Sequence, residues 1–362
     1  MEKKKAVVAV YNKIENDARV IRTSEALGSN GYDVTVLSFG SNPDYRNACF
    51  KSVVVKGGSS GGLNLFRFYA ACLRYIFAER KRIDLLYMND YFLVLLGAVC
   101  KALFGIKWIY DGHELILSHR EKRKNRRLAF FRWIERRFDR YADYMIEANR
   151  ERMRIIRHVD RIKNIDYVSN SKKRESIARP EKEDVIVYQG YLGGGRDLSR
   201  IIRAMKHLEN KARFEIIGWG PDKEKYLSLC RELDLAGSVE FRDKMDYSEL
   251  ANETKKAKIG IMIYEMRGLN NIYCAPNKIF EYADLSIKVL SSPQPWVKKV
   301  LKEYDLGLPI GENDTPRTIA EKIDSLLNSF DYNEANIERF FRDYSYEDDQ
   351  RKIVRIADLV TG

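Results

Sequence analysis

Short runs rich in Val, Ile and Tyr alternate with amphipathic stretches along most of the chain, and few folds accommodate that rhythm. In the first half the runs are AVVAV (6–10), VTVLSF (34–39), SVVV (52–55), DLLYM (84–88), KWIY (107–110) and DYMIEA (143–148). The second half has DVIVY (184–188), RFEIIG (213–218), SVEF (238–241), IGIMIY (259–264) and KVLSS (288–292). Between them lie segments such as ARVIRTSEALGSNG (18–31), where Val20, Ile21, Ala26 and Leu27 recur at near-helical spacing and Gly31 supplies a stop. Alternation this dense implies an α/β chain of parallel, doubly wound sheets with helices on both faces.

The rhythm restarts once. SNSKKRESIARPEKED (169–184) is polar and charged, contains Pro180 and lacks periodicity, so it reads as a linker. Two doubly wound Rossmann-like domains are therefore expected, one over 1–170 and one over 184–335. A length of 362 residues suits two cores better than one, and 45% apolar residues can fill both. In such sheets ligands sit beyond the carboxyl ends of the strands, and two domains facing each other would line a cleft with loops from both.

The five cysteines, Cys49, Cys72, Cys100, Cys230 and Cys274, are scattered without CxxC spacing, which argues against a disulfide framework or zinc site. The start, MEKKKAVVAVYN, passes from charge straight into a strand and lacks the features of a signal peptide. YFLVLLGAVC (91–100) falls far short of the ~20 residues of a spanning helix. A cytoplasmic protein is expected. Its 64 basic and 52 acidic residues leave a net +12, which points to an anionic partner.

Strand-to-helix junctions come first in the search for a site. In NNIYCAPNKIFEYADLSIKVLSS (270–292), Pro276 suits a first helical turn. Helical spacing then gathers Asn277, Glu281 and Asp284 on one side, with Lys278 at its margin, while Ile279 and Ala283 face the core. Free N–H groups of that turn favour phosphate, and a carboxylate one turn in could accept bonds from vicinal hydroxyls, as on ribose. The plainer alternative is a surface Lys278–Glu281 pair worth a few tenths of a kcal/mol.

DVIVYQGYLGGGRDLSRIIRAM (184–205) ends a strand in a turn holding Gly193, Gly194 and Gly195. Backbone N–H groups can approach an anion there, with Arg196 to pair with phosphate oxygens. By itself the turn fits a surface loop equally well, since it is neither GxGxxG nor a Walker loop. In RFEIIGWGPDKEKYLSL (213–229), Gly218 and Gly220 bracket Trp219, which suits either a flat base or a core cap. WIYDGHELILSH (108–119) puts Asp111, His113 and Glu114 past a strand, where His113 could donate to a sugar hydroxyl or a developing charge. HEL lacks the second histidine of a zinc motif. In YNKIENDARV (11–20), Asn16 or Asp17 is either a cleft residue or the cap of the next helix. DxD is absent, and the only ExE, Glu181–Glu183, lies in the linker, so no metal-binding carboxylate pair is expected.

Taken in order, YQGYLGGGRDLSRIIRAM, IIGWGP, SVEFRDKM and PNKIFEYADLSIKVLSS resemble the family-4 retaining glycosyltransferases of the GT-B fold. NDARVIRTSEALGSNGYDVTVLSFG and IYDGHEL are consistent with that family's first half. The resemblance implies an N-terminal acceptor-binding domain (1–170), a nucleotide-sugar-binding domain (184–335) and a C-terminal helix (336–362) crossing back to the first domain. It implies a hexosyltransferase-type enzyme moving sugar, with retention, from a nucleotide-diphosphate sugar to a glycan or polyprenyl- or lipid-linked acceptor. No metal or cofactor is implied. The nucleotide sugar is a co-substrate, with a UDP-sugar slightly favoured.

Glu281 would match the second glutamate of the family's E-x7-E motif, and Tyr273 stands where the first belongs. Asn271, Tyr273 and the backbone of Cys274–Ala275 would take over contacts with the donor sugar. Arg196 would match the phosphate-binding lysine, while Tyr191 occupies the arginine position. Lys278 or the helix start would compensate. His113, Arg196, Lys278 and Glu281 are thus the catalytic candidates. The donor-binding candidates are Asn16, Gly193, Gly194, Gly218, Trp219, Gly220, Asn271, Tyr273, Ala275, Pro276 and Asn277. Cys274 is the nearest thiol, read as inert.

Residues 120–163, beginning REKRKNRRLAFFRWIERRF, hold sixteen Arg and Lys against seven Asp and Glu. Leu128, Phe131, Ile134, Phe138 and Tyr141 recur at helical spacing, either as a core stripe or as the apolar face of a basic helix. An anionic membrane surface is the expected partner of this segment, with Trp133 at headgroup depth and the protein peripheral on the inner face of the plasma membrane. Rival readings are a GT-B sugar-nucleotide epimerase, motivated by the shared fold, and a catalytically weak GT-B scaffold, motivated by Tyr191 and Tyr273. Nucleic acid is ranked last, because the stripe lacks a recognisable module.

Overall fold

The protein was analysed as a computed structural model that describes residues 3–57, 63–115, 126–175, 181–245 and 247–362. It divides into two compact units, residues 1–170 with 346–362, and residues 171–345. In the first, chain order is β1 (Lys4–Val10), α1 (Ala18–Ser29), β2 (Tyr32–Phe39), β3 (Phe50–Val55), α2 (Asn64–Glu79), β4 (Leu85–Asn89), α3 (Val94–Phe104), β5 (Lys107–Gly112), α4 (Arg126–Phe138), β6 (Tyr144–Glu147), α5 (Arg150–Val159) and β7 (Ile165–Tyr167). The second contains β8 (Glu183–Tyr191), α6 (Ser199–Met205), β9 (Arg213–Trp219), α7 (Lys223–Glu232), β10 (Val239–Arg242), α8 (Tyr247–Thr254), β11 (Ala257–Met262), α9 (Leu269–Ile272), α10 (Lys278–Asp284), β12 (Lys288–Ser291), α11 (Pro295–Glu303), β13 (Gly307–Pro309), α12 (Pro316–Asn328) and α13 (Glu334–Asp343). The last helix, α14 (Tyr346–Thr361), belongs to the first unit.

Among the described residues, the first unit carries a seven-stranded sheet ordered β3-β2-β1-β4-β5-β6-β7 and the second a six-stranded sheet ordered β10-β9-β8-β11-β12-β13. Every pairing within them is parallel. Both orders reverse once, at β1/β4 and at β8/β11, and the strand ends at such a reversal leave room for a ligand. These are two Rossmann-like α/β domains.

Strand alternation builds the two-faced core. In β8, Ile186 and Tyr188 pack toward α6, α7 and α12, while Val185 and Val187 pack toward α10, α11 and α13. In the first unit, Ala6, Val8 and Val10 of β1 share a core with Val20 and Leu27 of α1 and with Ile353, Ile356 and Ala357 of α14. α3 lies so close to β5 that a Cβ on Gly97 would stand 2.3 Å from the Trp108 ring. The second unit extends to Ser345, beyond the expected 335, because Ile337 and Phe340 of α13 are buried in its core. Only from Tyr346 does the chain join the first unit. Two strands escaped the sequence reading, β7 and β13; each spans three residues at a sheet edge.

Candidate functional site

At the β8/β11 reversal, β8 runs into Gly190, Gly193, Gly194 and Gly195, all with positive φ (137°, 148°, 61° and 83°). Such angles are strained for any residue with a Cβ, so this turn requires its glycines. It is fastened on both sides. Leu192 N–H donates to Trp219 O (2.7 Å), and Glu265 N–H donates to Gly195 O (2.7 Å). Gly218 and Gly220 make that closeness possible, since a Cβ on either would lie 1.9 Å from Gly190 O or 2.1 Å from Leu192 O. Their missing side chains thus make room for backbone of the neighbouring turn. Asp197 ends the turn by accepting from Ser199 N–H (3.1 Å) and its hydroxyl (2.7 Å).

Two cations flank this turn. Arg196 places its guanidinium 5.3 Å from the centroid of the Tyr264 ring. Lys278 lies over the end of β8, where a Cβ on Gly190 would be 3.2 Å from its Nζ. Both are half-buried, and neither forms an ion pair or a side-chain hydrogen bond among the described residues. Burial lowers the Lys278 pKa; Glu281 opposes that shift and Arg196 adds to it. The surface Lys278–Glu281 ion pair considered above does not form. Instead Glu281 Oε2 accepts from Gln189 Nε2 at 2.8 Å, and Gln189 Oε1 accepts from the Thr254 hydroxyl at 2.8 Å.

The expected helix start moves. α10 begins at Lys278, with Asn277 at the capping position and no side-chain cap bond. Pro276 lies ahead of the first turn, buried, and Asn277 is exposed. Asp284, expected beside Glu281, is instead buried against Lys172 Nζ at 3.0 Å. The side chain of Asn271 lies against the glycine turn, its Nδ2 3.3 Å from where a Gly195 Cβ would be. Tyr273 and Ala275 are half-buried and Cys274 is buried. Tyr191 and Trp219 are both exposed, with ring centroids 6.1 Å apart in a T-shaped pair, and Lys244 sits 4.8 Å from the Trp219 ring.

In the first unit the β1/β4 reversal carries His113. Its Nε2 is 3.2 Å from Asn89 Oδ1, and Nδ1 is 4.0 Å from Asp17 Oδ2. Asn89 donates its own Nδ2–H to Ala9 O at 3.0 Å, which turns Oδ1 toward the ring and places the histidine proton on Nε2. Asp17 is the α1 cap, accepting from Val20 N–H at 3.2 Å. The Asn16 side chain lies outside the described residues. Asp111 does not reach a ligand space. It is buried and bonded to Arg19 Nε and Nη2 (2.9 and 2.8 Å) and to the Tyr87 hydroxyl (2.9 Å).

Residues 18–171 match the family model described as Glycosyltransferase Family 4, and residues 169–340 match Glycosyl transferases group 1. The chain belongs to the family-4-like glycosyltransferases of the GT-B fold.

Solved glycosyltransferases share this enzyme's fold over nearly its whole length. Sucrose-phosphate synthase from Thermosynechococcus elongatus superposes with a TM-score of 0.77 at 15% identity, covering 99% of each chain. WaaG, a glycosyltransferase involved in lipopolysaccharide biosynthesis, gives 0.72 at 13% identity, covering 99% of this chain and 100% of its own. Anabaena HepE in complex with UDP-glucose gives 0.70 at 11% identity, covering 97% and 98%. No curated protein sequence matches significantly.

Sequence reasoning about this glycosyltransferase missed Gln189, Thr254 and Tyr264. The signal for Gln189 was present: it continues the Val185, Val187 face of β8 and yet is polar. Among the described residues, no His, Cys, Asp or Glu side chains gather in threes as a metal site. None of the described helices is long and apolar enough to cross a membrane.

Proposed function

We propose that this enzyme moves a hexose from a nucleotide-diphosphate sugar, with a UDP-sugar favoured, to a glycan or lipid-linked acceptor, retaining the anomeric configuration. The observation that carries the reading is the pair of half-buried cations, Arg196 and Lys278, without carboxylate partners beside a glycine turn. A desolvated cation is costly unless an anion joins it. A diphosphate supplies that anion, and the backbone N–H groups of the turn add to it. Glu281, one turn along α10, is placed to accept from pentose hydroxyls. Trp219 and Tyr191 offer aromatic surface for the base, while Asn271, Tyr273 and the backbone at Ala275 border the sugar. UDP and UDP-glucose are bound by Anabaena HepE, which shares the fold.

In this mechanism the bond between the anomeric carbon and the phosphate oxygen breaks as charge grows on the diphosphate. Arg196 and Lys278 stabilise that charge, as preorganised cations do where charge develops. The acceptor hydroxyl approaches the same face, and the departing phosphate oxygen takes its proton. His113 supports the donor sugar. With Nε2 engaged by Asn89, Nδ1 is the ring nitrogen left to meet a sugar hydroxyl.

Membrane docking through the basic segment belongs to the same proposal. On α4, Ile134 is buried and Phe131 packs against Tyr91 and Phe92, so that part of the predicted apolar stripe turns inward, while Phe138 is half-buried and Tyr141 exposed; the Leu128 side chain lies outside the described residues. Phe130 and Trp133 are 56% and 62% exposed and stack 6.4 Å apart on a helix whose last turn carries Arg136 and Arg137, a pair suited to headgroup depth. Flotation with anionic and neutral vesicles tests this, and equal recovery from both counts against it. For the reaction, proton NMR of a nucleotide sugar turned over slowly in water should show the donor's anomeric configuration first. Release of the opposite anomer contradicts retention, and an isomerised nucleotide sugar favours the epimerase reading.

A further inference from the structure

Gln189 is 6% exposed, two residues before the end of β8, and the preceding residues of its face, Val185 and Val187, are apolar core. A buried amide at such a position destabilises unless its donors and acceptor are used. Here both ends are used, and in a fixed sense. Nε2 donates to Glu281 Oε2 and Oε1 accepts from the Thr254 hydroxyl, each at 2.8 Å. Thr254 is itself 1% exposed at the last residue of α8. Reversing the amide would set Oε1 against an ionised carboxylate, so the charge on Glu281 and the hydroxyl of Thr254 select the same orientation. The other Glu281 oxygen, Oε1, accepts no hydrogen bond among the described residues.

We infer that Gln189, locked by Thr254, is a positioning residue that aims the Glu281 carboxylate at the pentose of the bound nucleotide. A neutral donor suits that task. It fixes the carboxylate without cancelling its charge, whereas a lysine or arginine there would pair with Glu281 and weaken it as an acceptor. Oε1 and the remaining lone pair of Oε2 then stay available to two vicinal hydroxyls. This inference rests on the reading of Glu281 as the pentose-holding group, and the experiment separates the two.

Calorimetric titration of the full chain uses matched ribose and 2′-deoxyribose forms of UDP, GDP and ADP. The wild type should prefer the ribose form of at least one. Glu281→Ala should abolish that preference. Gln189→Met, close in shape, should weaken ribonucleotide binding roughly tenfold, as loss of a hydrogen bond to a charged group predicts, and the deoxy form much less. Thr254→Val should lose part of the preference and Thr254→Ser should restore it. Gln189→Glu sets two carboxylates together, so binding should be weak at neutral pH and recover as acid restores a donor proton. If Glu281→Ala abolishes the preference while Gln189→Met and Thr254→Val keep it, the positioning role is wrong and the Glu281 reading stands. If Glu281→Ala keeps the preference, or no nucleotide binds the wild type, both fall.

Discussion

Arg19 and the pair Arg196/Lys278 occupy equivalent places in their domains, at the carboxyl ends of strands beside a sheet reversal, and their surroundings differ in one respect. Arg19 is buried and partnered on all three nitrogens: Asp111 takes its Nε and Nη2, and Val168 O and Asn170 Oδ1 take its Nη1 (2.8 and 3.0 Å). Arg196 and Lys278 have an aromatic ring and a glycine backbone instead of carboxylates. The first arrangement closes a core. The second leaves positive charge without an anion, and that difference separates a structural ion pair from the ligand site proposed here.

The comparison breaks most visibly on the ion-paired side. Asp111→Asn leaves the Arg19 charge buried and half-partnered, and should cost ~3–5 kcal/mol in urea unfolding while nucleotide affinity is unchanged. Lys278→Met should do the reverse, losing ~1.5–3 kcal/mol of nucleotide affinity in calorimetry with stability held or raised. Since burial lowers the Lys278 pKa from its ordinary 10.5, an anion that pairs with it raises the pKa again. Nucleotide binding should therefore take up protons as pH approaches that value, and Lys278→Met should abolish the uptake.

Glu147 sharpens the contrast from within the first domain. Burial pushes its carboxyl up to about 8; Arg152 opposes the shift, Asp111 adds to it, and Oε2 has no hydrogen-bond partner among the described residues. Between the unfolded carboxyl value of ~4.3 and about 8, the folded state holds the extra proton, so stability falls as pH rises through that window. Glu147→Gln should flatten that fall, as read by urea unfolding across the window. The smallest effect belongs to the surface: Trp133→Ala should change stability by less than ~0.5 kcal/mol yet reduce recovery with anionic vesicles.

Much of this was legible in the sequence because parallel strands buried on both faces announce themselves as apolar runs. β7 and β13 did not, since three residues are too few to show a period, and β13 ends in Pro309 at a sheet edge, where a missing N–H is tolerated. Glycine clusters marked the 193–195 turn correctly in place. What helical spacing could not show is partner choice. Asp284 and Glu281 fall on one side of α10, yet one is taken by Lys172 and the other by Gln189. Pro276 suggested a helix start that the backbone reaches only at Lys278.

Thermal unfolding of the wild type and of the Arg196→Ala/Lys278→Ala variant, with UDP, GDP and ADP sugars, tests the central claim most directly. At 100 times its dissociation constant, the cognate nucleotide sugar should stabilise the wild type by ~2.7 kcal/mol and the double variant far less. Equal stabilisation of both proteins, or of neither by any of the nucleotides, would contradict the assignment of these two cations to the diphosphate.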